Sequence, residues 1–161
     1  MRKLAIAIAL FLAAVSRPAA AADDKATLEG LKEVKVAFDL REGSAKGLLH
    51  QLDVIDETRQ SLIHQGVTPH FVVTFRGPAT KLVQGDESKM KPEDRPMAGK
   101  IAQRIKQLSA SPGVESFEQC GVAAREQGID PALVVPPVHV VGNGFISLMA
   151  YQSRGYGYIA P

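Results

Sequence analysis

The stretch Phe71-Val72-Val73-Thr74-Phe75 decides how the rest of the chain is read. Its apolarity is nearly continuous rather than alternating, as expected of a strand covered on both faces, and such strands belong to parallel sheets flanked by helices. Outward from it, residues 34–40, 114–120 and 138–142 form three more apolar segments, and the stretches between them have helical spacing. Alternation of strand and helix predicts an α/β domain built on a parallel sheet. The third segment contains Glu115, Ser116 and Glu118, polar enough to suggest an edge strand.

Between the first two segments, Ala45, Leu48, Leu49, Leu52, Ile55 and Leu62 fall on one stripe, opened by Ser44 and closed by Gly66. This spacing and these end residues predict a helix that packs on the sheet. Ile101, Ile105 and Leu108 mark a second helix stopped by Pro112-Gly113, and a last one begins at Gly144. Residues 85–96 combine seven charged residues with two prolines and little apolar content, which predicts a mobile, solvated loop. The end of the chain, from Tyr151, holds all three tyrosines and reads as a short final strand or a docked tail.

The chain has 161 residues, with 19 Lys and Arg against 17 Asp and Glu, a formal charge of +2. Arg2, Lys3 and Arg17 lie at the start, so from residue 23 onward the balance is 16 against 17, or −1. A near-neutral chain without a basic stripe argues against nucleic acid as a partner. Met1-Arg2-Lys3 precedes an apolar run of twelve residues, 4–15, and then a cluster of alanines. That pattern reads as a signal peptide over residues 1–22, cleaved before Ala22 or Asp23, leaving a domain of residues 23–161. The run is too short to span a bilayer, which needs roughly 18 residues or more, so the exported chain is expected to have no membrane anchor. In a bacterium its destination would be the periplasm.

Ligands of open parallel sheets bind beyond the carboxyl ends of the strands, where loops meet helix N-termini. The residues there are 41–44, Arg76-Gly77-Pro78, Cys120-Gly121 and Asn143-Gly144. Cys120 is the one cysteine of the chain, which excludes an internal disulfide and a multi-cysteine zinc site. It stands where a helix would begin at Gly121, so the helix dipole and free N–H groups favour its thiolate. Arg76 and Arg125 would add positive potential, and Glu118 would oppose it. An inert, packed thiol is an equal reading at this stage.

Other constellations fail. His50 and His64 are fourteen residues apart on one helix, roughly 21 Å, and cannot share a metal. No metal site or cofactor is expected. Gly142-Asn143-Gly144-Phe145-Ile146-Ser147 approaches a dinucleotide fingerprint, but Ser147 replaces its third glycine and the acidic ribose ligand is missing.

The run Glu118-Gln119-Cys120-Gly121-Val122-Ala123-Ala124-Arg125, followed by Gly128-Ile129-Asp130-Pro131, resembles the DsrE/DsrF-like (YchN-like) proteins. Phe75-Arg76-Gly77-Pro78 and the ending Gly155-Tyr156-Gly157-Tyr158-Ile159-Ala160-Pro161 are similar to the same family. The resemblance implies a three-layer α/β/α sandwich with a mostly parallel sheet of four to five strands, assembled as a homo-oligomer, trimer or hexamer. In sulfur-relay members the cysteine matching Cys120 carries sulfane sulfur as a persulfide between a donor and an acceptor protein. Those members are cytoplasmic, whereas this chain reads as an exported one. Arg76, Gly77, Gly121, Arg125 and Asn143 are the candidate substrate-binding residues, able to hold an oxyanion such as thiosulfate. The alternatives are a noncatalytic anion-binding or assembly module with a structural Cys120, and a redox sensor that pairs Cys120 between subunits.

Overall fold

A computed structural model describes residues 23–161, so the expected signal peptide over residues 1–22 lies outside the described residues. Five strands, β1 (Glu33–Leu40), β2 (Thr68–Phe75), β3 (Val114–Cys120), β4 (His139–Val141) and β5 (Gly157–Ile159), form one sheet in the order β4-β3-β2-β1-β5. Every pairing is parallel. Four α-helices connect them: α1 (Ala45–His64), α2 (Ala98–Ser109), α3 (Gly121–Glu126) and α4 (Gly144–Ser153). The α/β expectation therefore holds, with five strands.

Strand alternation sorts side chains onto two unlike faces. On one, Val36, Phe38, Leu40, Phe71, Val73, Phe75 and Phe117 pack against α1 and α2 as the main core. The α1 stripe is buried as expected, and between Ile55 and Leu62 it is completed by a buried ion pair, Asp56–Arg59 at 2.7 Å. Arg104 of α2 reaches the same carboxylate at 3.0 Å, so that charges within the helix–helix seam are all partnered. The other face is smaller and more polar, with Ala37, Asp39, Val72, Thr74, Glu118 and Cys120 all buried. Of the helices, α4 contacts β1, β2 and β3 alike, and it leaves Phe145, Ile146 and Met149 more than half exposed.

Two expectations need correction. β3 is flanked by β2 and β4 rather than lying at an edge, because β4 pairs with Glu118–Cys120. Its polar residues reflect side-chain partners: Glu115 accepts from Tyr156 and pairs with His70 at 2.7 Å, and Glu118 accepts from Tyr151 Oη at 2.9 Å and from Ser147 Oγ. Residues 85–96 are also not a free loop. They fold into two short 3-10 turns, bury Met90 in the core, and bury Asp94 with its Oδ1 accepting the Ala45 N–H at 2.7 Å.

Asp94 therefore caps α1 from forty-nine residues away, together with Ser44, whose Oγ accepts from Gly47 N–H at 3.2 Å. Local composition hides such a contact. Asp94→Ala is expected to cost about 1–2 kcal/mol in denaturant unfolding, whereas Glu93→Ala, on the exposed side of the same turn, should stay within about 0.5 kcal/mol. Equal small effects would return the segment to a solvated loop.

Candidate functional site

The four strand-to-helix turns nominated by sequence converge, and the space available to glycine shows how closely. A Cβ on Gly121 would lie 2.8 Å from the Val141 carbonyl oxygen. One on Gly144 would lie 2.7 Å from Arg76 Cδ and 3.0 Å from Cys120 Cβ. Both positions need glycine because backbone, sulfur and guanidinium stem meet there. Gly77, at φ +50°, begins the 3-10 turn Gly77–Leu82, and its carbonyl accepts from Thr80 Oγ1 at 2.7 Å and from Gln127.

Cys120 ends β3 and is 5% exposed. Its Sγ accepts the Gly144 N–H at 3.2 Å, so the donor comes from α4, across the turn, rather than from α3. Only six residues long, α3 carries little dipole; α4 has ten and is capped by Asn143, whose Oδ1 accepts the Phe145 N–H at 2.9 Å.

Beside the sulfur, Arg76 is buried and held by Asp39, with Nε donating to Oδ1 at 2.7 Å and Nη2 to Oδ2. Tyr158, from β5, donates its phenol to Asp39 Oδ2 at 2.7 Å, and the Phe145 ring lies 4.1 Å from the guanidinium carbon of Arg76. Burial pushes the Asp39 carboxyl up, but the hydrogen bonds from Arg76 and Tyr158 and the charges of Arg76 and Arg41 outweigh it, leaving the pKa below its ordinary value. Arg76 is held protonated chiefly by Asp39 against the opposing effect of burial, with smaller help from Tyr158 and Cys120. Both partners thus favour the ionised pair.

The candidate residues consequently divide. Arg76, Cys120 and the Asn143-Gly144 turn meet directly, and Gly121 fits closely against the end of β4. Arg125 is exposed, four residues into α3, roughly 6 Å along the axis from Gly121. The donors expected to hold an oxyanion are largely engaged: the Arg76 fork by Asp39, the Gly144 amide by Cys120 and the Phe145 amide by Asn143. Sequence reading missed Asp39 and Tyr158, and it named the Asn143-Gly144 turn without the role of the Gly144 amide as donor to the sulfur. A signal existed for Asp39, a carboxylate within the otherwise apolar run from Val36 to Leu40, which needs a buried partner. None existed for Tyr158, 119 residues away from Asp39.

A cavity of about 370 Å³ opens alongside, lined by Glu118, Val141, Gly142, Asn143, Ser147 and Tyr151 among others. Val141 is the register partner of Cys120, so the cavity borders the residue next to the sulfur. Burial first, and then the hydrogen bond to the Glu118 carboxylate, push the Tyr151 phenol up to about 12. Among the described residues no cluster of His, Cys, Asp and Glu could hold a metal ion, and no helix is long and apolar enough to cross a membrane.

The model of the DsrE/DsrF-like family matches residues 19–161. The chain belongs to that family. A relative by sequence is an uncharacterized protein of Aquifex aeolicus, 27% identical over 127 residues, which are 78% of this chain and 55% of the relative. The chain thus spans about half the length of that curated relative. Two solved structures share the fold. The protein of unknown function MTH1491 from Methanobacterium thermoautotrophicum superposes with a TM-score of 0.61 at 20% identity, over 80% of this chain and 99% of its own. The ychN protein from E. coli gives 0.55 at 11% identity, over 80% of this chain and all of its own.

The Asp39–Arg76 pair sets an acid limit. A carboxylate whose folded pKa is depressed contributes stability above its unfolded value, near 3.8, and loses that contribution as pH falls through the folded one. Asp56 and Glu115 act in the same direction: burial raises each, and hydrogen bonds from Arg59 and Arg104, or from Tyr156 and His70, outweigh it. Asp39→Asn is expected to cost about 3–5 kcal/mol at pH 7 by leaving Arg76 buried without its counter-charge. The gap from wild type should narrow below about pH 4. A constant gap from pH 7 to pH 3 in urea unfolding would contradict this.

Proposed function

We propose that this DsrE/DsrF-like protein is an exported sulfur carrier, periplasmic in a bacterium, that holds sulfane sulfur as a persulfide on Cys120. The reading is supported chiefly by the Gly144 N–H directed at Sγ, with the Arg76 side chain packed against the same glycine. A fixed donor and a nearby cation stabilise an anionic sulfur, whether thiolate or persulfide, without reorganisation. The association of the family with sulfur relay supports it from outside the site.

The chemistry needs no added oxidant or reductant. Cys120 thiolate attacks the outer sulfur of a donor persulfide; a new S–S bond forms at Sγ, the donor S–S bond breaks, and the donor leaves as a thiolate. An acceptor thiolate later takes the same outer sulfur from Cys120 by the same exchange. At 5% exposure the sulfur is covered, so the first turn of α4, with its half-exposed Phe145, has to yield for either partner to reach it. Partner protomers are the other expected contacts: the exposed Phe145, Ile146 and Met149 on α4 supply an apolar face suited to a trimer or hexamer.

That same burial favours a second reading, a noncatalytic anion-binding or assembly module in which Cys120 is packed. Intact masses separate the two. After exposure to thiosulfate or polysulfide, wild type should gain one sulfur atom and Cys120→Ser none, whereas sulfide, which carries no sulfane sulfur, should add none to either. Equal masses, together with a native Cys120 that resists alkylation at neutral pH, would leave the packed module. In the same preparation, fractionation should recover the chain from the periplasm, beginning at Ala22 or Asp23, and sedimentation should give a trimer or hexamer. A cytoplasmic chain retaining Met1, or a monomer, would contradict those parts.

A further inference from the structure

Glu118, on the face of the sheet that holds Cys120, is buried at 6% exposure. Its two oxygens accept one hydroxyl each, from Tyr151 at 2.9 Å and from Ser147, and among the described residues no Lys, Arg or His forms an ion pair with it. A carboxylate oxygen can accept a second hydrogen bond, and hydroxyls bring no counter-charge, so a buried carboxylate in this state still favours a cation. The same residue lines the cavity of about 370 Å³, which Asn143 lines near the sulfur and the exposed Arg154 lines as well.

The order of these groups follows α4. Asn143 caps its start, Ser147 and Tyr151 follow one turn apart on one face, and Arg154 caps its end. Gly144, next to Asn143, holds Cys120 Sγ, and the guanidinium carbon of Arg154 lies 5.8 Å from the centre of the Tyr151 ring. Sulfur, carboxylate and guanidinium therefore succeed one another along the helix. Cys120 and Glu118 are two residues apart on β3, roughly 7 Å along the strand. An amino acid persulfide, with only two carbons between sulfur and nitrogen, spans a distance of that order.

We infer that this cavity binds the zwitterionic head of a free α-amino acid persulfide, its ammonium at Glu118 and its carboxylate at Arg154, with its sulfurs directed toward Cys120. The site so read rests on the carrier role of Cys120 and gives that role a donor class. A persulfide inside a protein chain has its nitrogen in a peptide bond and offers Glu118 no ammonium. A volume at the lower end of small-molecule sites suits a compound of this size.

S-Methyl-L-cysteine, in which a methyl group replaces the outer sulfur, cannot exchange with a thiol and reports binding alone. It is titrated into purified wild type and followed by NMR at the Gly142 and Ser147 amides, beside 3-(methylthio)propionate, which lacks the ammonium, and 2-(methylthio)ethylamine, which lacks the carboxylate. Saturable shifts are expected for S-methyl-L-cysteine. Affinity should fall by about tenfold or more for the propionate, the value of a hydrogen bond to a charged group, and by about two- to fivefold for the amine, whose lost partner is an exposed arginine. Glu118→Gln should remove the preference for the ammonium, and Arg154→Ala that for the carboxylate. If Glu118→Gln fails to fold, the comparison of ligands on wild type decides. No saturable shift, equal affinity for the propionate, or an ammonium preference that survives in Glu118→Gln overturns the proposal. Mass measurement tests the carrier role apart from it. A chain that takes sulfur from polysulfide yet ignores S-methyl-L-cysteine loses this donor site alone, whereas one that binds S-methyl-L-cysteine yet never gains sulfur keeps the amino acid site and loses the carrier role.

Discussion

The buried pair of Asp39 and Arg76 is the constraint on which the carboxyl edge of the sheet depends. Asp39 belongs to β1 and Arg76 follows β2, so their two hydrogen bonds fasten adjacent turns. Tyr158 brings β5 to the same carboxylate, and Phe145 lays the start of α4 over the guanidinium. Such a pair adds little net stability over an apolar one, but removing one member strands the other in a dry interior. Its contribution is therefore best described as placement. With Arg76 fixed, Gly144 can occupy a gap that admits no side chain, and its amide meets Cys120 Sγ.

The two faces of the sheet divide the labour of the molecule. Large apolar side chains from β1, β2 and β3 meet α1 and α2 and carry most of the hydrophobic burial. The second face is covered more thinly, by α4 and the chain end, and collects buried polar groups: Asp39 with Arg76 and Tyr158, and Glu118 with Ser147 and Tyr151. Polar groups in this position must be satisfied by specific partners, and those partners fix α4 in one register on the sheet. Cys120 thus sits on the lightly covered side, beneath the first turn of α4.

The fold was legible because it rests on periodicity. The continuous apolarity of Phe71 to Phe75 and the stripe from Ala45 to Leu62 became β2 and α1, and the nominated turns did converge. What escaped was held by contacts distant in sequence. Asp94 looked like one of many charges in a solvated segment, yet it caps α1 across forty-nine residues. Glu118 looked like a sign of an edge strand, yet two hydroxyls of α4 satisfy it. Cys120 could be placed at a helix start from sequence, but the helix supplying its donor could not: adjacency pointed to α3, and the turn geometry selects α4. Single-residue composition carries no record of which distant group faces a carboxylate or a sulfur.

Amide hydrogen exchange at Gly144, followed by NMR in wild type and Cys120→Ala, tests the placement of that sulfur most directly. The account requires a protected Gly144 amide in wild type and faster exchange once its acceptor is removed, with the Ser147 and Leu148 amides unchanged. A Gly144 amide that exchanges at the free-chain rate in wild type, or equally in both proteins, would contradict it.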